Sequence, residues 1–340
     1  MGEGCAGALL QSGRFINYIA QFMAEIAYHA SHEQFSPAYL LKMAVLAERA
    51  GFRAIHSSDH FHPWSERQGH SGFSFAWLGA AMQATRLPFS MVCAPGQRYH
   101  PAIVAQAVAT LAEMFPERFS VELGSGEALN ENITGQEWPE KELRNKRLLE
   151  SAEVIRALLK GDTVTHNGLV RVEGARLYTR PASMPLLMAA ALTAETAAWA
   201  GSWADGLITV AQEPEEVLKI RDAFYHGGGA GKPFMIQLAL SYAATEQEAL
   251  EGAYEQWRNN LLPSPLLADL AFPAQFDAAG QYISKEKVQN KIPVSSSLQY
   301  HTDKIGAYLE TGCSRLILHN VNRQQERFIE DFGSRVLPAL

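Results

Sequence analysis

The chain has 340 residues, of which 47% are hydrophobic, and 29 lysines and arginines face 36 aspartates and glutamates for a formal net charge of -7. That apolar content supports a large core and excludes global disorder. The acidic balance, with no block of basic residues, argues against a nucleic-acid partner, because phosphate binding needs a clustered basic face.

The first 22 residues, "MGEGCAGALLQSGRFINYIAQF", hold a short apolar piece at 6–10 with Glu3 and no Lys or Arg before it. That is a poor secretory signal. Residues 1–22 are read as an extension, a tag or a mis-assigned start, and residues 23–340 as one domain. From Met23 onward short apolar runs alternate with longer amphipathic ones. "AEIAYHA" reads as a strand. "SPAYLLKMAVLAERAG" reads as a helix with Ser36 as N-cap, Pro37 at the first helical position and Gly51 as its stop. "FRAIHSS" is a second strand, "SFAWLGAAMQAT" a helix, "LPFSMVCA" a third strand and "PAIVAQAVATLAEMF" a helix again opened by proline. "RFSVELGSG" is a fourth strand, followed by a long polar helix from about residue 140 to 160. "MPLLMAAA", "ADGLITVA", "FMIQLALSYAA" and "CSRLILHNV" read as strands five to eight, and "ERFIEDFGSRVL" as a closing helix.

Strands alternating with helices in this number point to a parallel sheet, and a (β/α)8 TIM barrel fits both count and length. Segments 161–182 and 259–300 interrupt the alternation as insertions after strands four and seven, the first with room for a small hairpin. A doubly wound nucleotide-binding sheet fits less well, since "GSGEAL" has no third glycine in register. Cys5, Cys93 and Cys313 form no CxxC pair, as expected of free thiols in a reducing cytoplasm. No apolar run reaches the ~18 residues of a membrane helix.

Barrel chemistry sits at the C-terminal ends of the strands. "SSDHFHPW", residues 57–64, follows strand two directly and brings Asp59, His60, His62 and Trp64 to that face. His29 after strand one, Glu127 after strand four, and His319 and Asn320 after strand eight join them. His-x-His at a strand end also opens the sites of metal-dependent hydrolases, which need further His and carboxylate ligands from later strands. Strands five to seven offer none, so this reading is a remote alternative. His62 and His70 read as packing residues, and His166 and His226 as surface residues without partners. "RYHP", residues 98–101, reads as a helix start with a buried tyrosine rather than a cofactor contact.

The stretches "HEQFSP", "AERAGF", "SDHFHPW", "RYHPAIVAQAVATLAEMFPERF", "GSGEALNE" and "ADGLIT" resemble the luciferase-like flavin and deazaflavin oxidoreductases over residues 23–335. The resemblance is to the branch of glucose-6-phosphate dehydrogenases that use the deazaflavin coenzyme F-420 (F420). It implies a barrel without metal and a flavin-type ring at the strand C-termini. Carried over residue by residue, it implies His60 as the active-site histidine and Glu127 as the acid that exchanges a proton with substrate. Trp64 becomes the aromatic between substrate and ring. Asp59, Met91, Val92, Gly126, Asn130, Ala191, Leu192 and Thr193 become cofactor contacts, with Asn130 near the cofactor tail. It also implies a homodimer. A His and a Glu suit the proton that accompanies hydride transfer from an alcohol, and the cofactor carries the redox step.

Departures from that branch bear on cofactor and substrate. The Gly-Gly-Pro turn that cradles the F420 phosphate there is replaced by "AAALTAET", where Leu192 and Thr193 lack glycine's freedom. Where the branch places a lysine for the sugar phosphate, "ITVAQEPEE" carries Glu213, Glu215 and Glu216, which repel phosphate. "SMVCAPG" replaces the loop that holds a cis peptide against the ring. These features lead to FMN as the expected cofactor, with hydride transfer or oxygen activation on a small organic substrate and a flavin reductase as a partner. F420 with an alcohol or sugar other than glucose 6-phosphate is the alternative.

Overall fold

The computed structural model describes residues 24–340. The proposed extension, residues 1–22, lies outside the described residues. In chain order the first half comprises β1 (Glu25–Ala30), α1 (Pro37–Ala50), β2 (Ala54–Ser57), α2 (Ser74–Ala84), β3 (Phe89–Cys93), α3 (Pro101–Met114), β4 (Phe119–Leu123), α4 (Ala128–Glu131) and α5 (Lys141–Lys160). A pair, β5 (Val164–Asn167) and β6 (Arg171–Ala175), precedes β7 (Leu187–Ala190), α6 (Ala194–Gly201), β8 (Leu207–Val210), α7 (Pro214–Phe224), β9 (Phe234–Leu240) and α8 (Glu246–Trp257). Short helices α9 (Ser264–Asp269), α10 (Pro273–Gly280) and α11 (Lys285–Gln289) lead to α12 (Leu298–Leu309), β10 (Arg315–Asn320) and α13 (Gln325–Asp331).

Parallel pairing closes a barrel in the order β1-β10-β9-β8-β7-β4-β3-β2. This is the (β/α)8 barrel with insertions that the alternation predicts. The local signals act as read. Ser36 Oγ accepts from Tyr39 N, Pro37 occupies the first turn, and Gly51 at φ 97 returns its N–H to Ala47 and Glu48. Leu40, Met43, Ala44 and Ala47 of α1 are buried against the barrel.

Strand alternation splits each strand between two cores. Outward residues such as Ile55, Met91, Val121, Leu316 and Leu318 pack under the helices. Inward residues Ala27, Ala54, Met188, Ile208, Met235 and Ile317 form an apolar inner layer. Two residues further along their strands, His29, His56, Gln237 and His319 make the next inner layer polar, at the end that carries the site.

The 161–182 segment does hold a hairpin, the antiparallel pair β5–β6. Glu150 on α5 clamps it by accepting from Leu169 N at 2.7 Å and Val170 N at 3.2 Å. His166, read from sequence as partnerless, meets the same carboxylate at 2.9 Å. The second insertion builds its own small core of Leu129, Phe276, Ile283, Val288 and Ile292, with Trp64 and Trp257 packed against it. Among the described residues no helix is long and apolar enough to cross a membrane.

Candidate active site

The β2–α2 loop is fastened from below. Asp59, 6% exposed, accepts from Arg98 Nη2 at 2.9 Å and from Tyr99 OH at 3.1 Å. Burial raises its pKa, and Arg98, Tyr99 and His60 offset part of that rise. Arg98 N also donates to Glu131 Oε2 at 2.6 Å, and the guanidinium Nε lies 3.5 Å from the same carboxylate's other oxygen. "RYHP" does open a helix, with His100 as N-cap and Pro101 in the first turn, and Arg98 and Tyr99 in addition anchor the loop that carries His60, a contact not read from sequence. Both Asp59 oxygens are taken up by these contacts.

His60 stands where three elements converge. Its Nε2 lies 3.5 Å from Glu33 Oε1, in the loop after β1, and 3.9 Å from Glu127 Oε2, in the loop after β4. Its Nδ1 lies 3.1 Å from Asn130 Nδ2. The Asn130 amide cannot be turned over, because its Oδ1 accepts from Phe61 N at 2.9 Å and His62 N at 3.4 Å. Nδ2 therefore donates to His60 Nδ1, and neutral His60 carries its own proton on Nε2.

The two carboxylates differ. Glu33, 3% exposed, accepts from Ser31 Oγ and Ser58 Oγ, both at 2.8 Å. Burial opposes its charge, but His60, the backbone and these hydroxyls outweigh burial and hold its pKa below the ordinary value. The Glu127 side chain reaches solvent over 34% of its area. Burial, helped by Glu33 and Glu131 and resisted by His60, raises its pKa to about 7. Water on its open side tempers that shift. Glu33 belongs to the quoted stretch "HEQFSP" but was not singled out from sequence, since nothing in its own neighbourhood marks it.

Trp64 sits 5.1 Å from His60, ring to ring, and is braced edge-on by Phe276 of α10 at 5.3 Å. His62 turns away from His60, its Nδ1 2.8 Å from Leu129 O. Among the described residues no group of three or more His, Cys, Asp or Glu is arranged to hold a metal. Asn130, expected near a cofactor tail, has its amide engaged by residues 60–62 and, at 3.5 Å, by Glu127.

A ledge lies between β3, β4 and β7. Val92, Gly124, Ser125, Gly126 and Ala190 are partly exposed along it. Met91, by contrast, is fully buried in the outer core, so Val92 is the member of that pair able to touch a ligand with its side chain. Gly126 has φ 85, a left-handed turn that favours glycine. No peptide bond in the described residues is cis, so the Met91–Val92 bond is ordinary trans strand backbone. The ledge ends past buried Ala191 at Thr193, the N-cap of α6, whose Oγ accepts from Thr196 N at 3.3 Å. A flat uncharged strip leading to a helix N-terminus fits a planar ring with a phosphate-bearing tail. A cavity of about 460 Å³ at the opposite mouth, lined by Glu25, Arg118, Met184 and Arg315, has no such neighbours.

Residues 18–315 match the model of the luciferase-like monooxygenase family. The F420-dependent glucose-6-phosphate dehydrogenase of Beutenbergia cavernae is 34% identical over 330 residues, covering 94% of this chain and 98% of that protein. Its counterpart in Mycolicibacterium smegmatis is 35% identical over 334 residues, covering 94% and 99%. Among solved structures, an F420-dependent secondary alcohol dehydrogenase in complex with an F420-acetone adduct superposes with a TM-score of 0.87 at 30% identity, covering 93% of this chain and 99% of that one.

These relatives overturn the expectation of FMN, of a non-F420 member of the branch and of oxygen activation, because each is an F420-dependent enzyme that this chain matches over nearly its whole length. The reason for expecting a flavin reductase goes with it. Leu192, at the turn into α6, is 51% exposed. Glu213, Glu215 and Glu216 lie at the start of α7, beyond β8, and are exposed there. The chain belongs to the luciferase-like family of flavin- and deazaflavin-dependent oxidoreductases.

Proposed function

We propose that this protein is an F420-dependent dehydrogenase of a small alcohol that carries no phosphate. The observation that supports this reading best is His60 Nε2 facing both Glu33 and Glu127 beside the Trp64 ring. Val92, the 124–126 turn and Ala190 would hold the ring, and Thr193 with the first turn of α6 the phosphate. Bound F420 supplies the hydride-accepting carbon.

The protein's own residues handle the proton. With Nδ1 occupied by Asn130, His60 offers Nε2–H as a hydrogen-bond donor to the alcohol oxygen. Glu127, with a pKa raised to about 7, takes the hydroxyl proton as the alkoxide develops. Glu33 stays ionised and steadies positive character on the imidazole. In the reverse direction protonated Glu127 returns the proton to the carbonyl oxygen. Trp64 and the second insertion exclude water from one side. The acidic start of α7 disfavours a phosphorylated substrate by charge repulsion.

The test is fluorescence titration with F420 and with FMN, followed by F420 reduction with a panel of alcohols and with glucose 6-phosphate. Binding of F420 and turnover of unphosphorylated alcohols is the expected result. Faster turnover of glucose 6-phosphate would remove the substrate assignment, and retention of FMN alone would remove the cofactor.

A further inference from the structure

The inner face of the barrel carries side chains that none of these steps uses. His29, His56 and Glu122 point inward from β1, β2 and β4 and are 4%, 0% and 0% exposed. His29 Nδ1 lies 2.8 Å from His56 Nδ1, so one ring holds a proton there and the other accepts it. The remaining nitrogen of His56, Nε2, lies 3.7 Å from Glu122 Oε2. His56 Nε2, both Glu122 oxygens and Ser90 Oγ, on the neighbouring strand position, are sealed from solvent without a hydrogen-bond partner. Plain packing residues would fill this layer with no such desolvation cost, so the group calls for a role. His29 differs from His56. Its Nε2 makes no protein hydrogen bond yet is not among the sealed atoms.

We propose that Glu122, His56 and His29 form a buried proton relay beneath the active site, which stores a proton on Glu122 and delivers it at His29 Nε2 when negative charge arrives at the pocket floor. The relay has two states in which both rings are neutral. In the first, Glu122 is a carboxylic acid facing bare His56 Nε2, His56 Nδ1–H donates to His29 Nδ1, and His29 holds its proton on Nε2. When His29 Nε2 gives up that proton to a negatively charged ligand group at the pocket floor, His56 passes Nδ1–H to His29, and Glu122 passes its proton to His56 Nε2. Each N–H or O–H bond broken is matched by one formed on the next atom. Glu122 ends as the carboxylate and both rings end in the opposite tautomer. The 3.7 Å step closes by a small rotation of the Glu122 side chain.

The surroundings suit this. Burial raises Glu122 to about 7, with Arg315 and the nearby Ser90 hydroxyl, which lies outside hydrogen-bonding geometry, offsetting part of the rise. Burial lowers His56 to about 3, aided by Arg315 and His319 and opposed by Glu33. His29 is held well below its ordinary value by burial, then by His319, His56, His32 and His60. With both rings held neutral, the carboxyl is the group that takes up the movable proton, and it is mostly protonated below about pH 7. Arg315, the cation felt here, is bound to Glu25 through Nε at 2.8 Å. The relay serves the inner floor, separate from the substrate proton handled by Glu127.

The source of the negative charge, reduced coenzyme, rests on the F420 reading. The test is difference infrared spectroscopy of the full-length protein with oxidised F420 against chemically reduced F420. The wild type should lose a protonated-carboxyl band in the reduced complex, and nitrogen-15 spectra should show the His29 and His56 tautomers exchanged. Glu122→Gln should lack the band, and His56→Asn should keep it in both complexes. An unchanged carboxyl band in the wild type, or the same loss in Glu122→Gln, would overturn the relay. If fluorescence shows that neither form of F420 binds, the functional reading fails and the ligand-free protein decides. There a carboxyl band that titrates near pH 7 and is missing from Glu122→Gln, together with tautomer exchange at His56, supports the relay, and its absence overturns it.

Discussion

Asn130 fixes which nitrogen of His60 carries the proton. Its Nδ2 lies 3.1 Å from His60 Nδ1, and two backbone N–H groups hold its Oδ1 in place. The histidine is thereby presented as a donor at Nε2, and the role of proton acceptor passes to Glu127. Asn130→Leu should release this constraint. Nitrogen-15 spectra should show neutral His60 shifting toward the Nδ1–H form, and kcat should fall about tenfold or more with little change in F420 affinity. A His60 tautomer unchanged in this variant would show that the amide does not set it.

Glu127 acts as a base only when ionised. With its pKa raised to about 7, kcat for alcohol oxidation should rise with pH through that value, and ketone reduction should fall through it. Glu127→Gln should flatten this limb and lower kcat roughly 10²–10⁴-fold. A change confined to KM would move Glu127 to substrate binding.

Arg98 joins two buried carboxylates, Asp59 and Glu131. Arg98→Met should strand both and cost about 3–5 kcal/mol by urea denaturation, the usual range for breaking a buried pair. Tyr99→Phe removes only the 3.1 Å hydrogen bond and should cost about 1 kcal/mol. Equal effects of the two variants would argue that the loop is held by packing alone.

Five buried histidines should make the fold sensitive to acid. Burial lowers His32 to about 4, His56 to about 3 and His319 to about 4, puts His29 well below its ordinary value and holds His301 below its own. Each is neutral in the native state and protonates near 6.5 when unfolded. Their contribution is complete above about pH 6.5 and is lost as pH falls from there toward 4, because the unfolded chain then binds more protons. Tm measured across that range should drop steeply, and His56→Asn should make the drop shallower. A flat profile would mean that the native state opens to accept the protons.

Much of the architecture is legible in the amino-acid order because its causes are local. Ser36, Pro37 and Gly51 bound α1 through contacts within a few residues of one another, and every barrel strand is visible as an apolar run. His60, Trp64 and Glu127 were likewise readable, since their placement follows from lying just past a strand end. The misjudged residues are those whose partners are remote. Arg98 was read only as part of a helix start, which it is, and its pairing was missed because Asp59 is 39 positions away.

By itself, then, the sequence determined the barrel, its two insertions, and the strand ends at which chemistry gathers, since a period-two pattern and a capped helix are properties of neighbouring residues. Only the tertiary structure decided which atoms meet: Glu33 and Glu127 at His60 Nε2, Asn130 at its Nδ1, and the His29–His56–Glu122 layer inside the barrel. Closing the barrel brings together strands from opposite ends of the chain. Burial then sets the charge and tautomer of each group by what encloses it, which no local pattern encodes.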